Sequence, residues 1–233
     1  DDHHRAVRLV RHRVRDAPEH AASAVHPFVA HHDEVGLLGC GDVEERGRGG
    51  VGAAEVGVDW RLLAAMGYQE SKWDPHAVSF TGVRGLMQLT EDTASRMRAG
   101  DRRDPRSSIF GAAKYLAMLR REMPRRIPEP DRTWFAVAAY NVGLGHLEDA
   151  RVLAQQAGRN ADRWEDVREF LPLLSQERWY TQTKRGYARG WEPVRYVDNV
   201  QAYLNILQVA GTSMAADGAP PDPELGSNDM RGR

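Results

Sequence analysis

Cysteine is almost absent from this sequence. The single one, Cys40, cannot close an internal disulfide, so no disulfide framework holds the fold. Net charge is absent too: 32 Lys and Arg residues against 33 Asp and Glu leave −1. Without a basic field, nucleic acid is excluded as the expected partner. No run of about 18 apolar residues occurs, so no membrane-spanning helix is predicted. The N-terminus shows neither a signal-peptide apolar core nor a lipidation cysteine, and the chain is expected to lack its own envelope address. Aromatic residues are missing from the first 56 positions except for Phe28, while seven of the nine histidines lie before residue 33. Without periodic apolar faces, residues 1–56 read as a disordered or non-native N-terminal segment. The pairs His3-His4 and His31-His32 have no Cys or carboxylate spacing that would define a metal shell, so no metal and no cofactor are expected.

What is present begins at residue 57. The hydrophobic fraction of 41% suffices for one core, and from Asp59 onward helix starts, apolar periodicity and breaks agree with one another. Asp59 is predicted to cap a helix reaching about Ser71, with Leu62, Leu63 and Met66 on its apolar face. Residues 74–85, with Pro75, Gly82 and Gly85, read as a loop or short irregular hairpin. Thr90 opens a helix to about Met97. Ser107 or Ser108 starts a longer one that Pro124 ends, and Asp131 starts another that breaks around Gly143. Further helices are predicted over 145–157, 164–171 and 193–207, followed by a disordered tail over 211–233. The domain is expected to occupy 57–210, and its class is mainly α.

Glu70 lies seven residues after Leu63 and four after Met66, so on a helix it shares the apolar stripe. A carboxyl there, at a helix C-terminus and partly desolvated, is expected to resist ionisation. That suits a general acid. The same residue serves equally well to cap a loop amide or to pair with Arg84. In the stretch from Gly82 to Leu89, two glycines permit close backbone approach, and Gln88 is able to bond sugar hydroxyl or acetamido groups. Met87 and Leu89 in that stretch equally fit a core. Tyr140-Asn141 at a helix end joins a ring face to an amide, as sugar binding needs, or is a core tyrosine followed by a helix-ending asparagine.

Taken in order, Gln69-Glu70-Ser71, Trp73-Asp74-Pro75, Ser79, the run from Gly82 to Leu89, Ala139-Tyr140-Asn141 and Glu192 with Tyr196-Val197 resemble the motif set of family 1 lytic transglycosylases, the soluble-lytic-transglycosylase, goose-lysozyme-like type. The stretches from Val58 to Ala65, Leu171 to Gln176 and Gly186 to Gly190 are similar to a membrane-bound branch of that family. Members of that branch carry an upstream solute-binding-like domain after a signal peptide, neither of which is recognisable here. The resemblance implies a lysozyme-like helical domain with a short irregular or β-hairpin loop beside the catalytic helix. It implies Glu70 as the single acid/base catalyst, and Ser71, Ser79, Met87, Gln88, Tyr140, Asn141, Glu192 and Tyr196 as residues of the substrate cleft. It further implies peptidoglycan glycan strands as substrate, cleaved at the MurNAc-GlcNAc β-1,4 bond to leave 1,6-anhydro ends. The periplasmic face of the outer membrane is the implied location, any association with that membrane running through a region absent here. The rival readings are a goose-type lysozyme, with water as acceptor, and a non-catalytic glycan-binding fragment.

Overall fold

The computed structural model describes residues 56–217, with side chains described as far as 209. The expectations for residues 1–55 and for 218–233, including both histidine pairs and Cys40, lie outside the described residues. The described residues divide into two compact units, 56–125 and 126–217. Helices dominate both, as the periodicity predicts. Among the described residues the sole extended pairing is one antiparallel bridge between Val78 and Arg84.

In the first unit, α1 (Trp60–Ser71) is capped by Asp59, whose side chain accepts from the Arg61 amide, and it buries Leu62 through Gly67. α2 (Glu91–Met97) starts at Thr90, whose hydroxyl accepts from the Thr93 amide. α3 (Pro105–Glu122) begins two residues before Ser107. Its cap is Asp104, accepting from the Ser107 amide at 2.8 Å, with Pro105 at the first helical position, where a missing N–H is harmless. Both α1 and α2 pack on α3. Ile109, Ala112, Ala113, Leu116 and Leu119 line its buried side.

In the second unit, α4 (Asp131–Val142) packs against α5 (Leu144–Gln156) and against the long C-terminal helix α8 (Trp191–Asp217). Phe135 through Ala139 are buried without exception. Between α5 and α8 the chain is broken into short pieces. α6 (Trp164–Val167) stops before the predicted Leu171, and Pro172, which has no amide hydrogen, cannot donate back to continue an α-helix there. A 3₁₀ turn (Leu171–Ser175) and α7 (Glu177–Tyr180) follow. α8 continues through Gly211 to Asp217, where the composition predicts a tail. One glycine lowers helix propensity by only about 1 kcal/mol, and the alanines around it favour the helix.

Candidate active site

Glu70 is the penultimate residue of α1 and is half-buried. The chain leaves the helix through two consecutive left-handed residues, Lys72 (φ 57°) and Trp73 (φ 63°). Neither is glycine, so the turn is held by contacts. The Lys72 amide donates to the Tyr68 carbonyl at 3.0 Å. The Trp73 indole folds back on the helix and donates to the Ala64 carbonyl at 2.9 Å. Its ring meets Tyr68 at 5.0 Å between centroids, and the Lys72 ammonium sits 4.3 Å above the Tyr68 ring. Burial pushes the Lys72 pKa below the usual lysine value. The alternative pairing of Glu70 with Arg84 is not formed, since Arg84 is exposed and makes no ion pair among the described residues.

The loop from Ala77 to Leu89 is a tight double turn. The Ser79 amide donates to the Val83 carbonyl at 2.8 Å, and the Gly82 amide to the Ser79 carbonyl at 2.9 Å. The Ser79 hydroxyl accepts from the Val83 amide at 3.0 Å and lies 3.1 Å from the Thr81 hydroxyl, so it is integrated into the turn. The Ser71 hydroxyl donates to the Gly67 carbonyl within α1. Gln88 has φ 46°, a conformation uncommon outside glycine. Its side-chain nitrogen donates to the carbonyls of Gly85 (2.8 Å) and Ala77 (3.2 Å). With both donors so used, the amide oxygen is the end of Gln88 left to accept.

Met87 is fully buried, and a methyl built on Gly67 of α1 would lie 3.1 Å from its sulfur. It packs beneath α1 and does not face solvent, so it is not a cleft-lining residue. Its amide donates to the hydroxyl of Ser108, itself fully buried on α3, at 3.1 Å. Arg102 donates to the Leu89 carbonyl at 2.9 Å. Ser108 and Arg102 thus secure the loop that carries Gln88. The sequence carries a signal for Ser108, a hydroxyl four residues before Ala112 on the apolar side of its helix. Arg102 has none, because its role arises from a contact between two loops.

In the second unit, Tyr140 and Asn141 end α4, Tyr140 half-buried and Asn141 exposed. Glu192 and Tyr196 lie one turn apart in the first turns of α8. Tyr196 is buried. The Glu192 carboxylate pairs with Arg189 at 3.0 Å. Among the described residues no cluster of His, Cys, Asp and Glu is arranged to hold a metal ion.

Residues 51–163 match the Transglycosylase SLT domain. The chain is 62% identical over 155 residues to "Membrane-bound lytic murein transglycosylase F" of Marinobacter nauticus, a match covering 66% of this chain and 31% of that protein. It is 60% identical over 156 residues to "Membrane-bound lytic murein transglycosylase F 1" of Alkalilimnicola ehrlichii, covering 67% and 32%. The chain therefore spans about a third of the length of these curated relatives. Among solved structures it resembles an inactive mutant of the lytic transglycosylase Slt from Pseudomonas aeruginosa, with a TM-score of 0.51 and 22% identity, over 69% of this chain and 23% of that one. That likeness bears on the fold alone. Residues 51–163 of this chain are thus a transglycosylase SLT domain, in a mainly helical fold of the lytic transglycosylase, lysozyme-like type.

Proposed function

We propose that the chain is the catalytic part of a peptidoglycan lytic transglycosylase, cleaving the MurNAc-GlcNAc β-1,4 bond with Glu70 as its single general acid and base. The observation that carries this reading is the placement of Glu70 at the exit of α1, within the residues that match the SLT domain. Glu70 donates its proton to the bridging oxygen as the glycosidic C–O bond breaks. The substrate's own N-acetyl oxygen stabilises the cationic carbon. The Glu70 carboxylate then takes the proton of the C6 hydroxyl, whose oxygen bonds to that carbon and closes the 1,6-anhydro ring. Holding the hydroxyl near the reacting carbon makes the step unimolecular, so no water need be recruited. Two-carboxylate glycosidases place their groups about 5 to 9.5 Å apart to use a nucleophile or a water. Here Glu192 is assigned a supporting role, held by Arg189. The Gln88 oxygen is assigned to the sugar's N–H or O–H groups, Tyr140 and Asn141 to the sugar, Ser71 and Ser79 to the substrate cleft, and Met87 and Tyr196, both buried, to packing within their own units.

The relatives' names call them membrane-bound, which supports a cell-envelope location for this chain; we assign it to the periplasmic face of the outer membrane on the resemblance alone. Among the described residues no helix is long and apolar enough to cross a membrane. Digestion of purified sacculi followed by mass spectrometry tests the reaction. Each fragment is expected to be lighter by one water than the matching lysozyme product and to resist borohydride. Mainly reducible ends would assign a hydrolase instead. No clearing of sacculi at all would assign a binding fragment.

A further inference from the structure

Between Glu177 and Glu192 the sequence holds four cations, Arg178, Lys184, Arg185 and Arg189, and no carboxylate. In a chain of net charge −1 this is a local excess of positive charge. The same stretch carries Tyr187 and Trp191, 57% and 49% exposed, with Tyr187 edge-on to Tyr180 at 5.8 Å.

The segment is built, not merely basic. Asp149 of α5 is buried, and its carboxylate accepts from the backbone amides of Lys184 (3.2 Å) and Arg185 (2.8 Å). A buried carboxylate is costly unless hydrogen-bonded, and no cation neutralises this one among the described residues. Its charge is met by two peptide N–H groups, which fixes the backbone at 184–185. The stem of Arg185 lies flat on Gly145: a methyl built there would sit 2.7 Å from Nε and 3.0 Å from Cγ. The guanidinium is exposed and makes no hydrogen bond or ion pair among the described residues. An arginine with an anchored backbone, a bedded stem and a free planar fork is preorganised for a carboxylate. Gly145 is the second residue of α5, beyond the break at Gly143 (φ 85°) and four residues after Asn141, so the stem is bedded on the helix start that directly follows the motif ending α4.

We propose that Arg185, with Lys184 beside it, docks a carboxylate of the peptide stems that peptidoglycan strands carry, and so selects stem-bearing strands. This rests on the transglycosylase reading of the substrate. An anionic lipid surface also suits cations and aromatic rings, but the bedding of Arg185 on Gly145, four residues after Asn141, favours the polymer over the membrane.

The test compares kcat/KM on intact sacculi with kcat/KM on sacculi stripped of stems by an amidase. Arg185→Ala is expected to lower the ratio of the two about tenfold, the value of one charge-assisted hydrogen bond. Gly145→Ala, which displaces the Arg185 stem, is expected to lower it in the same direction, and Arg185→Lys to restore part of it. An unchanged ratio overturns the proposal, whether both substrates suffer equally or neither does. Sedimentation with sacculi and with phosphatidylglycerol vesicles, using full chains that also carry Glu70→Gln, reads the same residue without turnover. Loss of sacculus binding on Arg185→Ala supports the proposal even if no transglycosylase product forms. Loss confined to the vesicles overturns it in favour of a membrane contact.

Discussion

The indole of Trp73 donates to the carbonyl of Ala64, nine residues earlier and two turns up the same helix, at 2.9 Å. This bond folds the chain back immediately after Glu70 and sustains two left-handed residues that have no glycine to ease them. Trp73→Phe keeps most of the apolar area and removes the donor. The expected loss is about 1 kcal/mol, read as a melting temperature lower by a few degrees. Activity on sacculi should fall by more than the stability loss explains at room temperature, because the turn positions Glu70. An unaltered melting curve would show that the hydrogen bond contributes nothing net.

Glu70→Gln retains the shape of the acid and cannot deliver its proton. Lysis of sacculi is expected to drop by at least about 10²-fold, the usual worth of positioned proton transfer, with folding and glycan sedimentation nearly intact. Activity within tenfold of the parent would assign the acid elsewhere.

Gly85 has φ 95°, and a methyl there would sit 2.1 Å from the Arg102 carbonyl oxygen. Gly85→Ala must therefore push apart the two loops that hold Gln88. We expect a loss of at least about 2 kcal/mol from backbone strain alone, measured by denaturant unfolding, together with reduced turnover. Gln88→Ala removes the amide without that clash. It is expected to raise KM and lower kcat only in part, and so is Tyr140→Phe.

Asp162 receives Arg126 at 2.5 Å and Arg151 at 2.7 Å, the latter almost wholly buried. Burial pushes its pKa up, but the hydrogen bonds from Arg126 and Arg151 outweigh burial and hold it below the usual carboxylate value. Its folded pKa is thus depressed. The stability it contributes is present above the unfolded carboxylate value, about 4, and is lost as pH falls through the lower folded value. Asp162→Asn should lower stability at pH 7 by about 2 kcal/mol and flatten the acid limb of the stability profile below about pH 4. A parallel acid limb in parent and variant would count against this pairing.

The helices were legible wherever a cap and a periodic apolar face coincide in the sequence, as at Asp59 for α1 and Thr90 for α2. The start of α3 was misplaced because Ser107 and Ser108 both have capping chemistry, while Asp104-Pro105 supplies the actual cap and first turn. The short α7 carries too few residues to show a period. Glu70, Gln88 and Tyr140 stood out as polar or aromatic residues at helix ends and turns, and Glu192 only through the resemblance. The roles of Arg102, Ser108 and Asp149 did not, since each acts on backbone far away in sequence.

By itself, the sequence determined the mainly helical class, the helix carrying Glu70 and the order of the motifs, because capping and amphipathic periodicity are local properties that neighbouring residues decide. Tertiary structure alone decided that Met87 is buried beneath α1, that the nitrogen of Gln88 is spent on its own loop, and that a buried carboxylate on α5 fixes the backbone of Arg185. Those outcomes depend on which backbone groups meet across packed elements, and hydrogen-bond geometry between segments tens of residues apart leaves no periodic trace along the chain.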